Sequence, residues 1–234
     1  MRILVTGGTG RLGRAVVPAL AGEDVQIMSR RGHVVADLST GEGVAAAVAG
    51  VDVVVHLATG NTGRRDVAAA CRLVTAARRA GVAHLVYVSI VGVDRVPNSY
   101  YRGKLAVERL LAESGLPHTI LRTTQFHDLV RAYLAAVSRL PVVPVPDLRV
   151  QPIDVRDVAT HLAPLVTGPP RGRVEDLGGP EVLSFETLAR TYGGKGVVRY
   201  RLPGRTFRAY RDGGHLTGTP GGEITFAQYV DERR

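Results

Sequence analysis

Apolar and polar positions along this chain alternate between two periods. Short apolar runs near residues 2 to 6, 24 to 28, 33 to 36, 51 to 56, 83 to 88 and 117 to 122 read as strands. Between most of them the apolar residues recur at helical spacing, which predicts helices near 11 to 21, 41 to 49, 64 to 80, 99 to 114 and 124 to 138. Several of these close on a glycine, such as Gly22, Gly50, Gly81 or Gly115. Strand and helix in succession imply an α/β fold, with a parallel sheet covered by helices on both faces. Beyond about residue 139 the pattern breaks, because Pro141, Pro144, Pro146, Pro152, Pro169, Pro170 and Pro180 cut the chain into short pieces. The expected organisation is a core over 1–138 and a smaller lobe over 139–234 packed on it as a single structural unit.

The first strand runs directly into glycines: Arg2-Ile3-Leu4-Val5-Thr6-Gly7-Gly8-Thr9-Gly10-Arg11-Leu12-Gly13, followed at once by the helix of Ala15, Val16, Ala19 and Leu20. A strand, a tight turn and a helix start with Gly7, Gly10 and Gly13 at three-residue spacing form a grip for a dinucleotide pyrophosphate. One glycine makes the turn, one lets the backbone approach the phosphate, and one packs the helix closely. The first N–H groups of the helix, near Arg11 and Leu12, point at the anion. The sheet is therefore expected to be Rossmann-like and doubly wound, with ligands outside the carboxyl ends of its strands and the C-terminal lobe supplying a substrate pocket.

After the second strand, Ser29-Arg30-Arg31 stands where an NAD-binding unit carries a carboxylate for the ribose 2′-hydroxyl. A guanidinium matches a phosphate bidentately, so Arg30, then Arg31, points to a 2′-phosphate and hence to NADP(H). The bland alternative is two arginines solvating a loop. The third strand closes on Asp37-Leu38, where the carboxylate either accepts from the adenine amino group or ties a turn.

Composition narrows the partners. The 234 residues are 45% hydrophobic, enough for a substantial core, and the net charge of +9 comes from 30 basic residues against 21 acidic ones. The basic residues are scattered, which suits an anionic cofactor and gives no nucleic-acid surface. The single cysteine, Cys71, forms no internal disulfide and is expected to be a buried, inert thiol among small residues. No cysteine cluster suggests a metal. No apolar run approaches the ~18 residues of a membrane span and no signal-peptide pattern precedes the first strand, so a soluble cytoplasmic protein, monomer or homodimer, is expected.

The segment from Ser89 to Lys104 carries the candidate chemistry. Tyr100 and Lys104 are four apart, on one helical face, where an ammonium favours the phenolate form of a tyrosine that passes a proton. Lys104 could also hold ribose hydroxyls. Ser89, at the end of the fifth strand, could hydrogen-bond a carbonyl oxygen that becomes an alkoxide during hydride transfer. The plain alternative for Tyr100 and Tyr101 is an amphipathic ring packed at a helix start.

Taken together, Thr6 to Gly13, Asp37-Leu38, His56-Leu57-Ala58, Tyr100 to Lys104 with Leu105 and Glu108, and Leu121-Arg122-Thr123-Thr124-Gln125-Phe126 resemble the atypical short-chain dehydrogenase/reductases of the NmrA-like branch. Val150 to Ala159 and Gly178-Gly179-Pro180-Glu181 are similar to substrate-lobe segments of that family. The resemblance implies that Ala58 and Thr59 lie along the cofactor, that Lys104 is the ribose or catalytic lysine, and that Thr123 to Phe126 border the nicotinamide. It also implies an NADPH-dependent oxidoreductase acting on a small apolar carbonyl or quinone, with Tyr100 as proton donor, Lys104 as orienter and Ser89 as oxyanion partner. The alternative within the same branch is a non-catalytic NADP(H)-binding redox sensor that contacts a regulatory protein.

The remaining candidates have modest readings. His127, beside Gln125 and Phe126, either touches substrate or is satisfied at a helix start. His56 reads as a packed strand-end histidine. Asp154 and Asp157 suit the start of a helix over 158 to 166. Phe207, Tyr210 and Phe226 are expected to pack the lobe.

Overall fold

The computed structural model describes residues 1–31, 34–60 and 63–233. Position 33, the first residue of the expected third strand, lies outside the described residues. The elements in chain order are β1 (Arg2–Thr6), α1 (Gly13–Ala19), β2 (Asp24–Ser29), β3 (Val34–Val35), α2 (Val44–Ala47), β4 (Val53–His56), α3 (Gly63–Arg79), β5 (His84–Ile90), α4 (Ser99–Glu113) and β6 (His118–Thr123). They continue with α5 (His127–Val137), β7 (Val143–Pro146), β8 (Arg149–Val150), α6 (Val155–Thr167), β9 (Gly172–Arg173), β10 (Leu183–Ser184), α7 (Phe185–Thr191), β11 (Val197–Tyr200), α8 (Arg205–Arg211) and α9 (Phe226–Asp231).

The chain forms two compact units that interleave in sequence. One comprises Met1–Ser89, Ser99–Arg122 and Ala159–Glu175; the other comprises Ile90–Asn98, Thr123–Val158 and Asp176–Arg234. The single boundary expected at 138/139 is therefore replaced by several crossings. The reason is visible within the second unit, where a segment leaving β5 binds the end of the chain. Asn98 Nδ2 donates to Tyr210 Oη at 2.9 Å, Thr206 Oγ1 donates to Pro97 O at 2.9 Å, and a Cβ on Gly92 would overlap Gly214. Proline spacing marks where the texture changes; it carries no information about these long-range pairings.

The first unit contains a seven-stranded sheet in the order β3-β2-β1-β4-β5-β6-β9. β1 pairs in parallel with both β2 and β4, and β4 with β5, so the chain direction reverses its lateral course beside β1. Alternation along the buried strands sends Leu4, Val54, Leu85 and Tyr87 into one layer with Leu73, Val74 and Ala77 of α3 and Val107 and Leu111 of α4. α1 packs on β1. The expected Rossmann-like α/β core is thus the observed one.

Several expected boundaries shift for local reasons. α1 is shorter than 11 to 21 because residues 11 and 12 still belong to the glycine turn and the chain beyond Ala19 tightens, Leu20 N donating to Val17 O and Ala21 N to Pro18 O. α5 starts at His127 rather than 124, since residues before it run extended: Ile153 N donates to Gln125 O at 2.9 Å and Phe126 has φ −70° and ψ 143°. Cys71 is exposed, against expectation. The buried stripe of α3 is Ala70, Leu73, Val74 and Ala77, and one further residue from Ala70 turns Cys71 about 100° off that stripe.

The second unit has its own core. Val130 and Leu134 of α5, Val143 and Val145 of β7, Leu188 of α7, and Phe226, Tyr229 and Val230 of α9 form one buried cluster. Phe226 is buried as expected, and the rings of Phe207 and Tyr210 lie tilted against one another at 55° with centroids 6.4 Å apart.

Candidate active site

Strands β1, β2, β4 and β5 all run parallel, so their carboxyl ends share one edge of the sheet. Gly7 follows β1 with φ +71°, a left-handed conformation open to glycine at little cost. A Cβ there would lie 2.6 Å from Ala58 N, so the turn after β1 rests directly on the segment after β4. Gly10 N donates to Gly7 O at 2.9 Å and closes the turn. A Cβ on Gly13 would overlap Gly7 O and Gly8 Cα, which is the close helix packing the glycine spacing predicts. Leu12 is buried beneath, while Thr9, Gly10 and Arg11 are exposed on the turn.

Thr6 joins these two strand ends. Its Oγ1 accepts from Ala58 N at 3.3 Å and bonds His56 Nδ1 at 2.8 Å. Burial pushes the His56 imidazole down to about 3, with the Lys104 charge acting in the same direction, so the ring is neutral. It stacks on Tyr87 with centroids 5.6 Å apart. The packed reading of His56 is the observed one.

After β2, Arg30 and Arg31 are both exposed. Of the two readings for Asp37, the turn is what the structure displays: Oδ1 accepts from Ser39 N at 2.7 Å and from Ser39 Oγ at 2.6 Å. These bonds hold its carboxyl below the ordinary range, and the Arg30 guanidinium adds to the effect. Leu38 packs at the margin of the core, its carbonyl accepting from Arg72 Nη1 at 3.2 Å.

Ser89, Tyr100 and Lys104 all lie in the first unit. Ser89 is the next-to-last residue of β5, at the strand end as expected, and its hydroxyl is buried without a hydrogen-bond partner. Lys104 is 6% exposed. Its ammonium donates to Val88 O at 3.1 Å and lies 4.8 Å from the centre of the Tyr87 ring. Burial lowers its pKa to about 8, opposed by the charges of Asp66 and Glu108. Glu108, one turn further along α4, is held bidentately by Arg122 at 2.9 and 2.7 Å, so the lysine's own helix is pinned to β6 by a buried ion pair.

Tyr100 behaves differently from the phenolate expected beside an ammonium. Burial raises its pKa, a hydrogen bond with Thr59 opposes that, and Asp66 raises it further. The Lys104 ammonium is directed instead at Val88 O and the Tyr87 ring. Tyr100 therefore holds its proton at neutral pH, the state an acid requires. Tyr101, its neighbour in sequence, is buried.

Asp66 is absent from the residues picked out by sequence. It lies in the first turn of α3, where a carboxylate complements the helix dipole, and that position was its one signal. Its carboxylate accepts from Thr59 Oγ1 at 2.9 Å and from Gly60 N at 2.6 Å.

Thr123, Gln125, Phe126 and His127 belong to the second unit. Thr123 O accepts from Val91 N at 3.0 Å. Phe126 caps α5 and bridges Ile153. His127 is wholly buried, with Nε2 donating to Ile224 O at 2.9 Å and the ring against Phe226 and Tyr229, so it serves that unit's core. Asp154 receives Arg156 N and the Arg156 side chain, and Asp157 Oδ2 accepts from Glu223 N and Ile224 N, both at 3.0 Å. Asp154 stands just before α6 and caps it as expected, whereas Asp157 lies inside that helix and ties the 223–224 segment instead. Among the described residues no helix is long and apolar enough to cross a membrane.

Two features of the first unit fit a dinucleotide: a glycine turn packed so closely that Cβ atoms are excluded, and the buried, unpartnered Ser89 hydroxyl. The comparisons agree with this geometry. A (4-alkanoyl-5-oxo-2,5-dihydrofuran-3-yl)methyl phosphate reductase of Streptomyces griseus is 31% identical over 199 residues, 78% of this chain and 69% of that protein. Quinone oxidoreductase 2 of Escherichia coli is 27% identical over 142 residues, 54% of this chain but only 49% of that protein. The crystal structure of an NADPH-dependent quinone oxidoreductase from Escherichia coli, complexed with NADPH, superposes with a TM-score of 0.84 at 21% identity, covering 99% of each chain, and so shares the fold. The sequence model of the NAD(P)H-binding family matches residues 7–167, from the glycine turn through β6 to the end of α6. That span contains every cofactor-directed residue described above, and the chain belongs to the NAD(P)H-binding family.

Proposed function

We propose that this NAD(P)H-dependent oxidoreductase takes NADPH and reduces a small apolar quinone or carbonyl compound. The observation that carries the reading is Ser89. A buried hydroxyl with no partner is costly, and a strand end at the cofactor edge of the sheet gives it a use: holding the oxygen that gains charge during reduction. Bound NADPH supplies the hydride. Tyr100, protonated in its half-buried setting, donates its phenolic proton to the reduced oxygen. Lys104 is fixed by Val88 O and by its helix, and its ammonium orients the ribose. Gly7 to Gly13 hold the pyrophosphate through the backbone, Ala58 lies beside them, and Arg30 meets the 2′-phosphate. The quinone preference draws on the named activity of the Escherichia coli relatives, and the reductase chemistry also on the Streptomyces protein.

A sensor that only holds the cofactor has no need of a protonated tyrosine and a buried lysine together. The test is NADPH oxidation followed against a panel of quinones, aldehydes and ketones, with Tyr100→Phe alongside. Turnover by the wild type and a loss of about 10²-fold or more in Tyr100→Phe, with NADPH affinity kept, is the expected result. A protein that binds NADPH and reduces no member of the panel would remove the reductase reading.

A further inference from the structure

Among the described residues, Asp66 is the carboxylate whose charge acts on Tyr87, Tyr100 and Lys104 alike. It reaches them because α3 and α4 meet backbone to backbone at their N-terminal ends. A Cβ on Gly63 would stand 2.6 Å from Ser99 O and 2.9 Å from Gly103 Cα, so no side chain separates the two helices there. Tyr100 is in the first turn of α4 and Asp66 in the first turn of α3. Thr59 links them: its hydroxyl donates to Asp66 Oδ2 at 2.9 Å, and its hydrogen-bonding influence on Tyr100 lowers that pKa, as a donor to the phenolate oxygen does. The single threonine proton serves one partner at a time: Asp66 in the resting state, and the Tyr100 oxygen once that oxygen is a phenolate. Thr59 is exposed and Asp66 partly so, which gives the carboxylate access to solvent protons.

We propose that Asp66 and Thr59 form the proton path that recharges Tyr100 after each turnover, an inference that rests on the reductase reading above. The balance is simple. Tyr100 gives its proton to the product oxygen and becomes a phenolate. The Thr59 hydroxyl proton passes to the Tyr100 oxygen, and a proton taken from solvent by the Asp66 carboxylate passes to the Thr59 oxygen. One solvent proton is consumed, and Thr59, Asp66 and Tyr100 return to their starting states. Once Asp66 has passed its proton on, its restored negative charge raises the proton affinity of Tyr100 and keeps the proton on the phenol. Thr59 and Asp66 are positioning residues in this scheme; only Tyr100 touches the reacting oxygen.

The experiment uses the full-length protein with NADPH and the substrates reduced most rapidly in the panel. Thr59→Val keeps the shape and removes the hydroxyl; Thr59→Ser keeps the hydroxyl. Thr59→Val is expected to lower kcat at saturating NADPH by about tenfold or more, and Thr59→Ser to restore it. Asp66→Asn is expected to lower kcat and to be rescued by imidazole buffer in proportion to its concentration, since a diffusing acid can then supply the proton. A purely structural Asp66 would show no such rescue. Wild-type kcat in Thr59→Val, beside an inactive Tyr100→Phe, would overturn the proton path and leave the reductase reading standing. A wild type without activity would remove the reductase reading, and NMR of protein carrying ¹³Cζ-tyrosine then tests the linkage at neutral pH without turnover. The Tyr100 resonance, assigned by its loss in Tyr100→Phe, should move in Thr59→Val and stay in Thr59→Ser; a resonance unmoved in both would overturn the linkage itself.

Discussion

Replacing Lys104 by methionine should make the cofactor-free protein more stable while weakening its function. The ammonium is 6% exposed, and burial lowers its pKa from 10.5 to about 8. At 1.36 kcal/mol for each pKa unit, that difference places a cost on the order of 3 kcal/mol on the folded state wherever both states carry the proton. The sign follows from linkage. Below about pH 8 the lysine is charged whether folded or unfolded, and the full cost is present. Between about 8 and 10.5 the unfolded chain binds more protons than the folded one, so stability rises with pH; above 10.5 the cost is gone. Methionine keeps the unbranched stem, but Val88 O loses its contact with the ammonium, at about 1 kcal/mol. The net expectation for Lys104→Met is a gain of about 2 kcal/mol near pH 7 that falls as pH rises and becomes a loss of about 1 kcal/mol above pH 10.5, with NADPH affinity and turnover both reduced. Urea unfolding followed by circular dichroism across that pH range measures it. A variant less stable than the wild type near neutral pH, or a difference that ignores pH, would refute the reasoning.

Two further expectations concern the charges around the site. Glu108→Gln leaves the Arg122 guanidinium buried without its carboxylate, and unfolding free energy should fall by about 3–5 kcal/mol in the same urea assay; a loss under about 1 kcal/mol would mean that solvent reaches the pair. Arg30→Glu should reverse the preference for NADPH over NADH measured by calorimetry, because a carboxylate accepts from a ribose hydroxyl and repels a 2′-phosphate; an unchanged ratio of affinities would assign the phosphate to another residue.

The parts legible in the sequence are those governed by neighbours along the chain. Period and glycine position suffice for β1, the turn at Gly7 and the strand-helix succession through β6, since each depends on residues a few positions apart. The parts that were not legible depend on distance in sequence. Nothing in the proline pattern pairs Asn98 with Tyr210, and so the interleaved units could not be read. Cys71 was misplaced by a rotation of one residue, because a run of small residues does not say which of them faces the core. Lys104 was recognisable by its spacing from Tyr100, but whether its charge is buried depends on β5 and Tyr87 lying over it.

Asp66 shows the limit most clearly. An acid in the first turn of a helix satisfies local rules completely, so the sequence holds no hint that it has another task. Its importance comes from the crossing of α3 and α4, and that crossing is set by Gly63 and Gly103, each without a side chain to register in a hydrophobic pattern. A Cβ on Gly103 would overlap the Gly63 backbone. Any larger residue at either position must push the helices apart or shift one along the other, and core overpacking of this kind costs about 1–3 kcal/mol. The same displacement would carry Asp66 and Thr59 away from Tyr100. The two positions that decide which carboxylate faces the tyrosine are therefore the two that a periodic reading treats as blank, and glycines at facing helix starts are where to look for such a partner.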